Sequence, residues 1–158
     1  MSMRFERFLW AMPAAYALHI CVEYGTGFPA WMNQHMHASM TNPAFLLNNA
    51  LFMAILLSLS TWASLGTSRL SAFLFLGWAS GNLFWNFIFH LATTLIADSY
   101  SPGLVTASLL YYPISIWVGV LAVRDGRLSP AGVLGAFVIG ACVMMFVIWA
   151  GLWHFHIP

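Results

Sequence analysis

Three side chains in this sequence invite chemistry before any others: His19, Glu23 and His90. His19 and Glu23 stand at i and i+4, one above the other on a helix face. A carboxylate beside an imidazole can orient the ring and raise its basicity, as in an acid/base pair. With His90 added, the same residues become two imidazoles and a carboxylate, a set that recurs in catalytic zinc sites with an open position. A divalent metal such as zinc is then the implied cofactor. Both readings compete with a plain one, in which the polar groups only hydrogen-bond helices together.

Asn82, Asn86 and His90 are also spaced four apart, so they share a face. Their amides suit a substrate oxygen or the orientation of His90, or else bonding to Asn48 or Asn49 on a neighbouring helix. Trp78, Phe84, Trp85, Phe87 and Phe89 surround the stripe, either as pocket lining or as packing. Tyr16 extends the His19–Glu23 face. Tyr16, Asn49, Trp78, Trp85 and Tyr111 are the expected substrate-binding residues.

These groups need helices that can sit in lipid. Of 158 residues, 61% are hydrophobic and 6% charged, with no lysine, and mean hydropathy is +0.83. A soluble domain carries about a quarter charged residues, so the composition predicts an integral membrane protein. A net charge of +1 offers no basic face for nucleic acid. Cys21 and Cys142 fall inside apolar runs and are expected to be small core residues rather than a disulfide.

The run from Phe8 to Val22, with Ala-Ala-Tyr-Ala inside it, has the look of a signal peptide. It ends in His19 and Glu23 rather than a small-residue cleavage site, which favours a first transmembrane helix. Thr41-Asn-Pro43 reads as a helix start, as do Pro102 and Pro130. Five spans are predicted in one domain over residues 1–158: about 8–24, 44–65, 71–97, 104–123 with a kink at Pro113, and 131–153. The fold class is an all-α membrane bundle. Arg4, Arg7, Arg69, Arg124 and Arg127 all fall on one side of that topology. By the positive-inside rule the N-terminus is cytoplasmic and the C-terminus extracytoplasmic, in a bacterial inner membrane.

That topology puts His19, Glu23 and His90 in the outer half of the bundle, together with His35, His37, His154 and His156. Met32, Met36 and Met40, interleaved with His35 and His37, either bind copper or form an amphipathic helix with its methionines turned down. Trp153-His-Phe-His156 fits an interfacial anchor. Gly77 and Gly81, and Gly132, Ala136 and Gly140, predict close helix contacts and offer faces for an oligomer. The fifth span, with no internal ionisable group, reads as scaffold.

His19 and Glu23 closing a first span, Gly27-Phe-Pro-Ala-Trp31, the Asn82–His90 stripe and Tyr100-Ser-Pro-Gly103 together resemble the HXXEE family of small bacterial membrane proteins. The resemblance covers about residues 16–115. It implies that His19, Glu23 and His90 are the functional trio and does not name a reaction. Val22 stands where the motif's first Glu belongs, so a mechanism needing only Glu23 is favoured. Five spans around a His/Glu pocket are also similar in architecture to sterol isomerases and membrane terpene cyclases, with no motif in common.

The expected function is therefore a membrane enzyme working by acid/base chemistry on a lipid- or isoprenoid-like molecule held between spans one to four. The alternatives are a metal-dependent hydrolase or oxidoreductase, extracytoplasmic copper handling, and a non-catalytic membrane binding protein.

Overall fold

The structure, a computed structural model, describes residues 4–153, with side chains for 4–150. His154 and His156 lie outside the described residues. Every regular element among the described residues is helical. In chain order they are α1 (Phe5–Phe8), α2 (Ala11–Gly25), α3 (Phe28–Met36), α4 (Asn42–Leu65), α5 (Arg69–Asn82) and α6 (Phe84–Ala97), followed by α7 (Leu104–Thr106), a π-helical turn (Ala107–Tyr111), α8 (Tyr112–Arg124) and α9 (Pro130–Trp153).

Four stretches are long and apolar enough to cross a membrane: Asn42–Leu65, Arg69–Ala97, Leu104–Arg124 and Pro130–Ala150. The chain is a multi-pass membrane protein. The N-terminal run, expected as a first span, is divided between α1 and α2. Pro13 has no N–H to offer the Leu9 carbonyl, which accepts from Met12 at 3.1 Å instead. With 15 residues, α2 is about 22 Å long, less than the roughly 30 Å hydrocarbon core.

The second long stretch is not one straight rod. It breaks at Leu83, whose ψ of −70° separates α5 from α6. Just before the break, Gly81 lies against α9 so closely that a Cβ there would stand 2.9 Å from the Gly140 carbonyl oxygen. Gly77 and Ala136 meet at the same seam, and Ser80 donates to the Ala136 carbonyl at 3.4 Å. The small-residue faces of α5 and α9 thus pack on each other within the chain. Gly132 instead touches Leu128 and Ser129 of its own helix start.

Pro113 shapes the fourth stretch. The π-helical turn over Ala107–Tyr111 absorbs the missing donor, and Pro113 opens α8 as a first-turn residue. The helix start expected at Thr41-Asn-Pro43 is present, with Asn42 rather than Pro43 as its first residue and the Thr41 hydroxyl as the cap, accepting from the Ala44 amide at 3.2 Å.

At the arginine-bearing end, Arg127 is buried rather than a free loop charge. It pairs with Glu6 and donates to the Gly66 carbonyl at 2.7 Å, while Asp125 accepts from the Phe5 amide at 2.7 Å. One clasp joins the N-terminus, the α4–α5 turn and the α8–α9 turn. Cys21 and Cys142 are not core residues. Both are exposed on outer helix faces, where lipid is the solvent and an apolar thiol meets no penalty.

Candidate functional site

Four elements converge on one point. Met12, Tyr16, His19 and Glu23 form the buried stripe of α2, as their spacing predicts. His90 arrives from α6, and the turn 98–103 folds over both and leads into α7. His19 Nε2 lies 3.2 Å from His90 Nε2, and Glu23 Oε1 lies 3.0 Å from His90 Nε2 and 3.5 Å from His19 Nε2. Relative exposures of His19, Glu23 and His90 are 0%, 2% and 0%.

The outer nitrogen of each ring is held by a hydroxyl. His19 Nδ1 is 2.8 Å from Thr106 Oγ1, and His90 Nδ1 is 2.9 Å from Ser101 Oγ. Thr106 spends its own proton on the Gly103 carbonyl at 2.9 Å. With its proton there, Thr106 accepts from His19 Nδ1–H, the tautomer in which His19 Nε2 turns a lone pair toward Glu23 and His90. Gly103 seals the cluster from above. Its φ is +99°, and a Cβ there would stand 2.9 Å from His19 Cε1, 3.0 Å from Glu23 Cγ and 3.1 Å from His90 Cε1. Only glycine meets both demands.

Three polar atoms crowded this closely, one of them a carboxylate oxygen, need a shared proton or a cation among them. Their separations form a nearly equilateral triangle. These atoms of His19, Glu23 and His90 would hold a divalent cation, which would supply a Lewis acid there. His19, Glu23 and His90 are also the group whose ligand atoms lie mutually within 4.8 Å among the described residues. Their donor set fits zinc, and Thr106 and Ser101 supply the outer hydrogen bonds that metal-ligating imidazoles usually have.

A cavity of about 410 Å³ reaches the cluster. Glu23 borders it; His19 and His90 do not. Tyr16, Asn48, Asn49, Asn82 and Asn86 give it further polar lining, and the remainder is apolar. Tyr16 donates to Asn49 Oδ1 at 2.6 Å, Asn49 donates to the Phe45 carbonyl at 2.9 Å, and Asn82 donates to the Trp78 carbonyl at 2.8 Å. None of the bonds in this lining joins Asn82 or Asn86 to Asn48 or Asn49. Asn86 Oδ1 is buried and has no partner among the described residues.

Other expected lining residues lie elsewhere. Trp78 donates to the Phe52 carbonyl at 3.2 Å and Trp85 to the Phe137 carbonyl at 2.7 Å, both outside the cavity. Tyr111 is buried behind His19, ring centroids 4.3 Å apart, so it supports the imidazole rather than the cavity wall. The fourth span gives the cavity no wall. The fifth, expected as scaffold, supplies Met144, Phe146, Val147 and Ile148, because the α5–α9 seam draws its far end over α4 and α6.

The methionine-rich segment turns inward. Met32 is fully buried with Phe28 and Phe45, and Met36 and Met40 pack against them, so the thioethers serve an apolar lid. His35 stays apart, its ring tilted against Trp31 with centroids 4.9 Å apart. Residue types alone pointed to the trio and to Asn82, Asn86, Tyr16 and Asn49. They did not single out Ser101, Thr106 or Phe28. Phe28, 5.2 Å from His90 between ring centroids, also borders the cavity. The one signal for the hydroxyls was their position in and beside Tyr100-Ser-Pro-Gly103.

The family profile described as protein of unknown function with HXXEE motif matches residues 10–118. No curated protein matches the chain, and no solved structure does.

Proposed function

Because the chain belongs to the HXXEE family, whose profile spans every residue of the buried cluster, we propose its function from the cluster itself: acid/base catalysis on a lipophilic molecule within the membrane. The single observation that carries this is Glu23, the one member of the trio that both borders the cavity and lies beside two imidazoles. Glu23 exchanges a proton with the substrate. His19 and His90 hold or return that proton, and Thr106 and Ser101 keep their rings in register. Such chemistry suits isomerisation or cyclisation, in which a proton is added at one carbon and removed at another.

The replaced position of the motif is no obstacle. Val22 is only partly buried, one residue and about 100° round the helix from Glu23, so a Glu there would not join the trio.

The proposed setting is a bacterial inner membrane, with α1 and α2 together completing a fifth span and the arginine-bearing end in the cytoplasm. Glu23→Gln keeps the shape and removes the charge. Lipid profiling of membranes with the native chain against this variant is expected to show turnover reduced by roughly 10²–10⁴-fold. A folded variant with full turnover overturns the reading.

The triangle of acceptor atoms supports a second reading, a metal-dependent hydrolase or oxidoreductase. Zinc or cobalt bound at one equivalent by the native chain and lost in His19→Ala would select it.

A further inference from the structure

The cavity combines polar groups beside Glu23 with a mouth at exposed residues of two helices, and that combination specifies an occupant. Leu51 of α4 and Phe146 of α9 both border it while remaining 56% and 59% exposed. They mark a lateral mouth between two helices that each pack on α5. At the inner end stand Glu23, Asn82 and Asn86, from α2, α5 and α6.

Among the polar groups there, Asn86 has the unmet demand. Its Oδ1 is buried without a partner among the described residues, which is unfavourable unless a ligand supplies a donor. The Asn49, Tyr16 and Asn82 side chains already bond within the protein. No arginine or lysine borders the cavity among the described residues, so a phosphate or carboxylate headgroup would be buried without a counter-charge. A hydroxyl fits instead. It donates one hydrogen bond and accepts another, matching an amide in either orientation.

We infer that the cavity takes a single-chain or isoprenoid alcohol, its hydroxyl on Asn86 next to Glu23 and its tail leaving between α4 and α9 into the bilayer. This rests on the cavity being the substrate site of the Glu23 centre. Its volume of about 410 Å³ lies in the usual small-molecule range of about 300–1,000 Å³.

The test uses the full chain in phosphatidylcholine nanodiscs and a hexadecanol carrying a mid-chain diazirine. Photolabelling is expected near Leu51 and Phe146. Unlabelled hexadecanol should compete at least tenfold better than hexadecyl methyl ether, which lacks the donor; hexadecylamine, a cation that Glu23 would attract, tests the competing headgroup. Asn86→Leu should abolish the alcohol-over-ether preference while Asn86→Asp, which keeps an acceptor, retains part of it. Leu51→Trp, at the lipid-facing mouth, should reduce labelling without touching the polar end. Equal competition by the ether, preference for the amine, labelling away from α4 and α9, or a preference that survives Asn86→Leu each overturns the inference. Glu23→Gln separates the two proposals. Retained alcohol binding with lost turnover supports both, retained turnover fails only the catalytic reading, and lost preference in the native chain fails only this one.

Discussion

At the scale of single residues, the site depends on groups that do no chemistry themselves. Thr106 ties His19 Nδ1 to the Gly103 carbonyl through one hydroxyl, 2.8 Å from the first and 2.9 Å from the second. Thr106→Val keeps the volume and removes that hydroxyl. The variant leaves His19 Nδ1 buried without that partner, so it is expected to lose about 1–3 kcal/mol in thermal unfolding and roughly 10–100-fold in turnover or metal affinity, whereas Thr106→Ser keeps both. Gly103→Ala acts differently. It places a methyl about 3 Å from all three members of the trio at a positive φ, so strain of about 1–3 kcal/mol should appear in thermal unfolding along with loss of function. A Gly103→Ala chain with native stability and turnover would show that the seal over the trio is not needed.

At the scale of elements, the α5–α9 seam sets where the cavity can be. A methyl on Gly140 would stand 2.1 Å from Ser80 Oγ and 2.7 Å from the Gly81 backbone nitrogen. Gly140→Ala should therefore destabilise by about 1–3 kcal/mol. Ser80→Ala should not rescue it, since the clash with backbone remains. The check is a double-mutant comparison of thermal unfolding in one detergent. Rescue by Ser80→Ala would place the tight contact in the side chain alone. The π-helical turn does similar positional service on the other side. It carries Tyr111 at its end, and Tyr111 packs on the His19 ring.

At the scale of the whole molecule, the buried clasp and the buried trio occupy opposite ends of the bundle. Arg127, Glu6 and Asp125 gather the loops at one end. Glu23, His19 and His90 sit under the turn 98–103 at the other. Under the proposed topology, the arginines on the first of these ends would place it in the cytoplasm. In a background with Cys21 and Cys142 changed to Ala, a cysteine at Gln34 should label with an impermeant reagent from outside and one at Thr67 only after permeabilisation. Labelling of both from one side would overturn the topology.

Composition and spacing by themselves determined the membrane class, the i, i+4 stripe of α2, and the polar face of α6 that carries Asn86 and His90. These are one-dimensional properties, set by hydropathy and helical period. The same period pointed to a close glycine seam, and its spacing was legible before its partner was. Only the tertiary structure decided which groups meet. Trp78 and Trp85 share the third span with Asn82 and Asn86, yet they turn to other helices. The cause is the break at Leu83 and the contact of Gly81 with Gly140. The same contact brings the chemically blank fifth span round to close the cavity. Periodicity reports the face on which a side chain lies; which neighbour covers that face depends on packing between segments far apart in the chain, and this placed Ser101, Gly103 and Thr106 on the trio.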